Sequence, residues 1–256
     1  MSRVDSSFSS STGRMVLGTY LVAGYPDYGS SLETLFTLVD AGADVIELGI
    51  PYSDPVADGR VLQSASGAAL AGGMTPPLAL ELAGEARESV EVPILVMTYY
   101  NPVFKYGPAR FCETCRDLDL DGLLVPDLPV EESGELLGHC REEGLNLIFF
   151  LSVNSPASRV RMTAEVANGF VYLFSVKGVT GERSSMDPAL GESIGRIKEK
   201  VHVPVSVGFG ISGPEQVANL KELGSDGIVV GSGIVRRQDD GLGSVGDFVS
   251  SLKSAC

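Results

Sequence analysis

From Met15 onward, short apolar runs alternate with longer stretches of helical periodicity. The runs are MVLGTYLV from Met15, DVIEL from Asp44, PILVMT from Pro93, GLLVP from Gly122, NLIFFLS from Asn146, FVYLFS from Phe170, PVSVGFG from Pro204 and GIVVGS from Gly227. Each has the length and the β-branched or aromatic content of a buried strand. Between them, apolar residues recur at helical spacing. Leu32, Leu35, Phe36 and Val39 fall at i, i+3, i+4 and i+7, and Val217, Leu220 and Leu223 share a face. Gly42, Gly144 and Gly224 stand just past such stretches, where a helix ends most easily on glycine. In ISGPEQV, Ser212 and Glu215 have the spacing of a capping box, so a helix is expected to start at Ser212.

Eight strand-and-helix pairs in a chain of 256 residues predict an α/β fold, a single (β/α)8 TIM barrel. A doubly wound open sheet is the competitor. It would place a Gly-rich nucleotide loop after its first strand, whereas here AGYPD follows the first strand and the Gly-rich turns come late. Residues 15–256 are expected to form the barrel, and the Ser-rich residues 1–14 a flexible or short-helix arm near its floor.

Charge narrows the function. The formal net charge of -14 has the wrong sign for gripping nucleic acid through phosphate neutralisation, so no nucleic-acid partner is expected. There is no run of eighteen apolar residues and no apolar segment of a secretory signal, so neither membrane insertion nor export is expected, and the cytoplasm is. An acidic protein that binds an anionic substrate must hold it with local devices such as backbone N–H groups. Cys112 and Cys115 form a C-x-x-C with no second ligand pair, which reads as reduced structural thiols rather than a metal site.

Active sites of (β/α)8 barrels lie at the carboxyl ends of the strands. There, DVIELGIPYSDPVADGRVLQ carries three acids, Glu47, Asp54 and Asp58. Side chains alternate along a strand, so if Ile46 and Leu48 face the helices, Val45 and Glu47 point into the barrel. A carboxyl so placed is desolvated, and its pKa rises towards neutrality, where it can exchange protons. A purely structural Glu at this position would need dedicated partners. Asp54 and Asp58, beside Pro and Gly, can each be read as turn residues.

Glycines gather at the last strand ends. Gly178 and Gly181 follow the sixth run, Gly208 and Gly210 the seventh, and Gly231, Ser232 and Gly233 the eighth. Turns after the seventh and eighth strands are where such barrels hold phosphate. Tyr20, Tyr99, Tyr100, Phe104, Tyr172 and Phe209 lie near the same mouths, and the combination suits a flat aromatic substrate with a phosphate tail.

ELGIPYSDPVADGRVLQ, MTYYNPVF, LLVPDLPVEES, SVKGVTG, VGFGISGPEQV and VGSGIV, in that order, closely resemble the tryptophan synthase alpha subunit family from about Met15 to Val235. The resemblance implies a lyase of tryptophan biosynthesis that splits indole-3-glycerol phosphate into indole and glyceraldehyde 3-phosphate by a retro-aldol step. It assigns proton transfer to Glu47 and stabilisation of the charged indole to Asp58. It matches Gly181, Gly210, Gly231 and Ser232 to the phosphate site, and Tyr20, Tyr172 and Phe209 to the indole pocket. Thr180 matches a lid residue that reaches the catalytic Asp when residues 175–186 close.

No cofactor or metal is implied in this subunit. Pyridoxal phosphate belongs to a partner beta subunit, which receives indole through a tunnel in an alpha2beta2 heterotetramer. Asp54, Asn101, Pro102, Phe104, Asp127 and Pro129 match its contact surface. A barrel that activates the beta subunit with little turnover of its own is the alternative. Three features depart from the family pattern: Arg60 where Pro is usual, SGAAL in the next helix, and the Ser-rich amino terminus.

Overall fold

The computed structural model describes residues 1–11, 13–174, 188–208 and 210–256. Eight parallel strands close into a barrel in sequence order: β1 (Val16–Val22), β2 (Val45–Gly49), β3 (Ile94–Met97), β4 (Gly122–Leu124), β5 (Asn146–Ser152), β6 (Val171–Phe174), β7 (Val205–Gly208) and β8 (Gly227–Val230). β1 pairs with both β2 and β8, which completes the ring. The open-sheet alternative is thereby excluded.

Around the barrel lie α2 (Tyr28–Asp40), α3 (Arg60–Ala71), α4 (Pro76–Arg87), α5 (Tyr100–Tyr106), α6 (Pro108–Asp117), α7 (Gly134–Glu142), α8 (Ala157–Val166), α9 (Pro188–Lys198), α10 (Pro214–Glu222), α11 (Ser232–Gln238) and α12 (Leu242–Ala255), with α1 (Arg3–Ser9) at the amino end. Two apolar layers result from the alternation of side chains. Ile46, Leu48, Ile94 and Val96 join the layer between strands and helices, while Val16, Val45, Leu95, Leu124 and Ile148 fill the barrel interior. Burying this much aliphatic surface is the main drive for the fold, at about 25 cal/mol for each Å² removed from water.

The Ser-rich amino terminus folds as α1. Ser2 caps it, with Ser2 Oγ accepting from the Asp5 N–H and Asp5 returning the bond to the Ser2 N–H, a reciprocal pair that offsets the weak helix propensity of the serines. Val4 is fully buried against the interior layer, and Phe8 packs on Phe170 with ring centroids 5.6 Å apart, so α1 plugs the barrel floor. Arg3 ties the helix to Asp119 and Asp121. Asp121 also binds Arg87 at 3.2 Å and accepts from the Ile94 N–H at 2.9 Å.

One expected helix start is corrected. α10 is capped by Gly213, not Ser212, and no side chain caps it. Gln216 takes the place expected of Glu215: its Oε1 accepts from the Ser212 N–H at 2.6 Å and from the Ser212 hydroxyl at 3.1 Å. Cys112, Cys115, Cys140 and Cys256 are free thiols, all buried. His202 is exposed.

Candidate active site

Glu47 sits on β2 with its side chain turned into the barrel, on the same face as Val45. It is aligned with Tyr20 on β1 and Leu95 on β3. The residue is 0% exposed, and neither carboxyl oxygen has a hydrogen-bond partner among the described residues. Burial alone therefore acts on it, and pushes its pKa from 4.5 to about 8. An unpaired buried carboxyl is costly to keep. Structural use would have supplied partners, and the structure supplies an open cavity instead.

Asp58 reaches the same cavity from the turn between β2 and α3. Its N–H donates to the Pro55 carbonyl at 3.0 Å, and Gly59 behind it caps α3. Burial raises its pKa to about 6, and a hydrogen bond from the Tyr99 hydroxyl opposes the rise. Tyr99 Oη also accepts from the Ala57 N–H at 3.0 Å, so one phenol from the end of β3 fixes the loop and its acid together. The two acids thus share a cavity yet differ in protonation near pH 7. Glu47 is mostly a neutral acid and Asp58 mostly a carboxylate.

The cavity has a volume of about 450 Å³. Its walls include Tyr20, Tyr172 and Phe150, and its rim Gly210, Gly231 and Ser232. Tyr20 and Tyr172 are held protonated by burial and by the nearby carboxylates. Glycines make room for both phenols. A Cβ at Gly49 would overlap the Tyr20 hydroxyl, and one at Gly208 would overlap the Tyr172 hydroxyl. Gly231 begins α11 as its cap residue, and a Cβ there would meet the Tyr20 ring. The backbone N–H groups of a helix start have no partner within the helix, so the rim near Ser232 offers donors.

Of the residues singled out in the sequence, Glu47, Asp58, Tyr20, Tyr172, Gly210, Gly231 and Ser232 come together here. Thr180, Gly181 and Phe209, and the proposed lid, lie outside the described residues. Asp54, Asn101, Phe104, Asp127 and Pro129 form no part of the cavity and are exposed, whereas Pro102 is buried beside a shallow apolar groove with Pro51 and Tyr52. Asn101 donates to the Tyr52 hydroxyl at 3.3 Å, and the Tyr100 N–H donates to Asp127 at 2.8 Å, which joins the loops after β2, β3 and β4. Arg60 is exposed in the first turn of α3 and does not line the cavity.

Sequence reasoning passed over Phe150, Met97, Pro126 and Ile211, all of them in the cavity wall. Strand parity across NLIFFLS places one of Phe149 and Phe150 inward without saying which.

A closed parallel barrel with two carboxyls in one cavity at its strand ends has the architecture of a (β/α)8 enzyme. The family model for the tryptophan synthase alpha chain matches residues 8–251. A tryptophan synthase alpha chain of Synechococcus sp. (strain CC9902) is 44% identical, the match covering 95% of this chain and 92% of that one. Another, of Geobacillus thermodenitrificans, is 47% identical over 85% of this chain and 81% of its own. Among solved structures, a tryptophan synthase from M. tuberculosis superposes with a TM-score of 0.92 at 34% identity, over 100% of this chain and 98% of that one. The subunit alpha structure from Legionella pneumophila gives 0.91 at 30% identity, over 100% and 98%.

The chain belongs to the tryptophan synthase alpha chain family. Its reaction is the lyase cleavage of indole-3-glycerol phosphate to indole and glyceraldehyde 3-phosphate in tryptophan biosynthesis, and membership implies a beta-subunit partner. Among the described residues, no helix is long and apolar enough to cross a membrane.

Proposed function

We propose that Glu47 and Asp58 carry out the cleavage as an acid and a charge-stabilising base. The observation behind this is that one cavity holds two carboxyls in unlike settings, Glu47 fully buried with no partner among the described residues and Asp58 on a loop held by Tyr99; burial raises the pKa of Glu47 to about 8 and that of Asp58 to about 6. Glu47 gives its proton to C3 of the indole ring, and the ring becomes an iminium. Asp58 accepts a hydrogen bond from the ring N–H and offsets the new positive charge. The Glu47 carboxylate then takes the proton of the glycerol hydroxyl next to the ring. The carbon–carbon bond breaks, its electron pair restores the aromatic indole, the aldehyde leaves, and Glu47 is again protonated. Protons and electrons balance without any further reactant.

Gly210, Gly231 and Ser232, together with Gly181, hold the phosphate through backbone N–H groups. Tyr20, Tyr172 and Phe209 flank the indole. The family resemblance gives Thr180 the part of a lid residue for Asp58. The exposed residues Asp54, Asn101, Phe104, Asp127 and Pro129, with Pro102 beneath them, form the docking face for a pyridoxal-phosphate beta subunit in an alpha2beta2 assembly in the cytoplasm. This subunit itself needs no cofactor.

The test is a direct assay. Purified protein is given indole-3-glycerol phosphate, with and without a beta subunit, and glyceraldehyde 3-phosphate is followed. The wild type should exceed Glu47→Gln by about a hundredfold to ten-thousandfold, the usual worth of one acid–base group. Equal rates would remove Glu47 from the mechanism. Activation of the beta reaction on free indole, with no alpha turnover, would favour the scaffolding alternative.

A further inference from the structure

The two sides of the cavity differ in chemistry. β2 supplies Glu47, and the turn after it supplies Asp58. In a closed ring of eight strands, β5 and β6 stand across the barrel from β1 and β2. Phe150 on β5 is aligned with Tyr172 on β6, and both point inward, with ring centroids 4.8 Å apart and planes inclined at 39°. Phe174 stands one inward position above Tyr172 and is 40% exposed at the mouth. An aromatic wall therefore faces the acids.

The rings in that wall are not held alike. The Tyr172 hydroxyl is seated against Gly208, so any Cβ there would displace it. Phe150 is half-buried, carries no polar anchor, and is placed by its contact with Tyr172. Such a ring presents apolar surface to whatever occupies the cavity, and its size fixes how far the occupant extends from the acids.

We propose that Phe150 is a specificity-determining residue that closes the far end of the indole pocket and sets the limit on substituents of the six-membered ring. This rests on the reading of the cavity as the indole site. On that reading the ring lies in the cavity that Glu47, Phe150 and Tyr172 all line, so a methyl group directed at Phe150 would have to displace its ring. One misfitted methyl group in an apolar pocket commonly changes kcat/KM by about 10- to 200-fold.

The experiment runs the reaction in the synthetic direction. C3 of indole adds to the aldehyde carbon of glyceraldehyde 3-phosphate, the C3 hydrogen leaves as a proton, and the aldehyde oxygen takes one up. Indole and its 4-, 5-, 6- and 7-methyl derivatives are compared in the wild type, Phe150→Leu and Phe150→Ala, each as the full chain. The readout is kcat/KM for each methylindole divided by that for indole in the same variant, so loss of folded protein cancels.

For at least one ring position the ratio should rise by about tenfold or more in Phe150→Ala, with Phe150→Leu between, while KM for indole increases in both. Unchanged ratios at all four positions, in both variants, would overturn the proposal and leave Phe150 as packing. If wild-type protein fails to condense indole itself, the indole reading of the cavity falls first, and this inference falls with it.

Discussion

Replacing Glu47 by Gln should make the protein more stable and far less active, and the stability gain should depend on pH. The wild-type carboxyl is fully buried without partners among the described residues, and burial pushes its pKa to about 8 from 4.5. Between those values the folded protein holds a proton that the unfolded chain has released. Stability then falls as pH rises through this window, because the folded state binds more protons. At about 1.4 kcal/mol for each tenfold change in proton affinity, the cost at pH 7 is roughly 3 kcal/mol, and below pH 4 it vanishes.

Gln keeps the shape and cannot ionise, although its amide meets the same lack of partners, so a net gain of roughly 2 kcal/mol at pH 7 is expected. In a chain of this size that raises Tm by roughly 4–8 °C. Thermal unfolding followed by circular dichroism at pH 4, 7 and 8.5 would measure it, with the alpha reaction assayed alongside. Glu47→Gln should be the less stable of the two at pH 4, by roughly 1 kcal/mol for its unpartnered amide, and pull ahead at higher pH. A variant no more stable than the wild type at pH 8.5 would refute the claim that Glu47 is held protonated by burial.

Tyr99→Phe removes the hydrogen bond that favours the Asp58 carboxylate, so the Asp58 pKa rises from about 6 and the acid limb of the kcat/KM profile moves towards neutral pH. Activity at pH 6 relative to pH 8 should drop several-fold, and an unmoved limb would detach Tyr99 from Asp58. At the floor, Arg87→Ala leaves the Asp121 carboxyl buried without its nearest enclosed cation, and it also removes the guanidinium's bonds to the Val90 and Val92 carbonyls. Breaking a buried pair from one side costs about 3–5 kcal/mol, measurable as a lower midpoint in urea denaturation with the assay otherwise intact.

The barrel was legible because its interior demands what sequence shows best: eight buried runs, each with a helix of 3.6-residue period behind it. Glu47 was legible for the same reason, since its place in VIELG fixes its face once Ile46 and Leu48 are assigned to the helices. Contacts between loops were not. Nothing local in MTYYNPVF says that the Tyr99 hydroxyl will reach back to Ala57 and Asp58, because that bond depends on the relative height of two strand ends. Phe149 and Phe150 defeat parity by being alike. The cap of α10 was misread because Pro214 fixes the first turn and shifts the cap to Gly213, leaving Gln216, one residue beyond Glu215, to reach Ser212. Serines at the amino terminus suggested weak structure, and the long-range seating of Val4 and Phe8 overrode their local preference.

The central claim is that Glu47 and Asp58 act on opposite parts of one indole ring. A crystal structure with a non-cleavable indole alkyl phosphate tests it most directly. The account places the ring in the cavity between Glu47 and the Phe150–Tyr172 pair, the indole N–H within hydrogen-bond distance of Asp58, and the phosphate at the Gly210, Gly231 and Ser232 rim. An indole ring bound elsewhere, or bound in the cavity with its N–H turned away from Asp58 and C3 out of reach of Glu47, would contradict it.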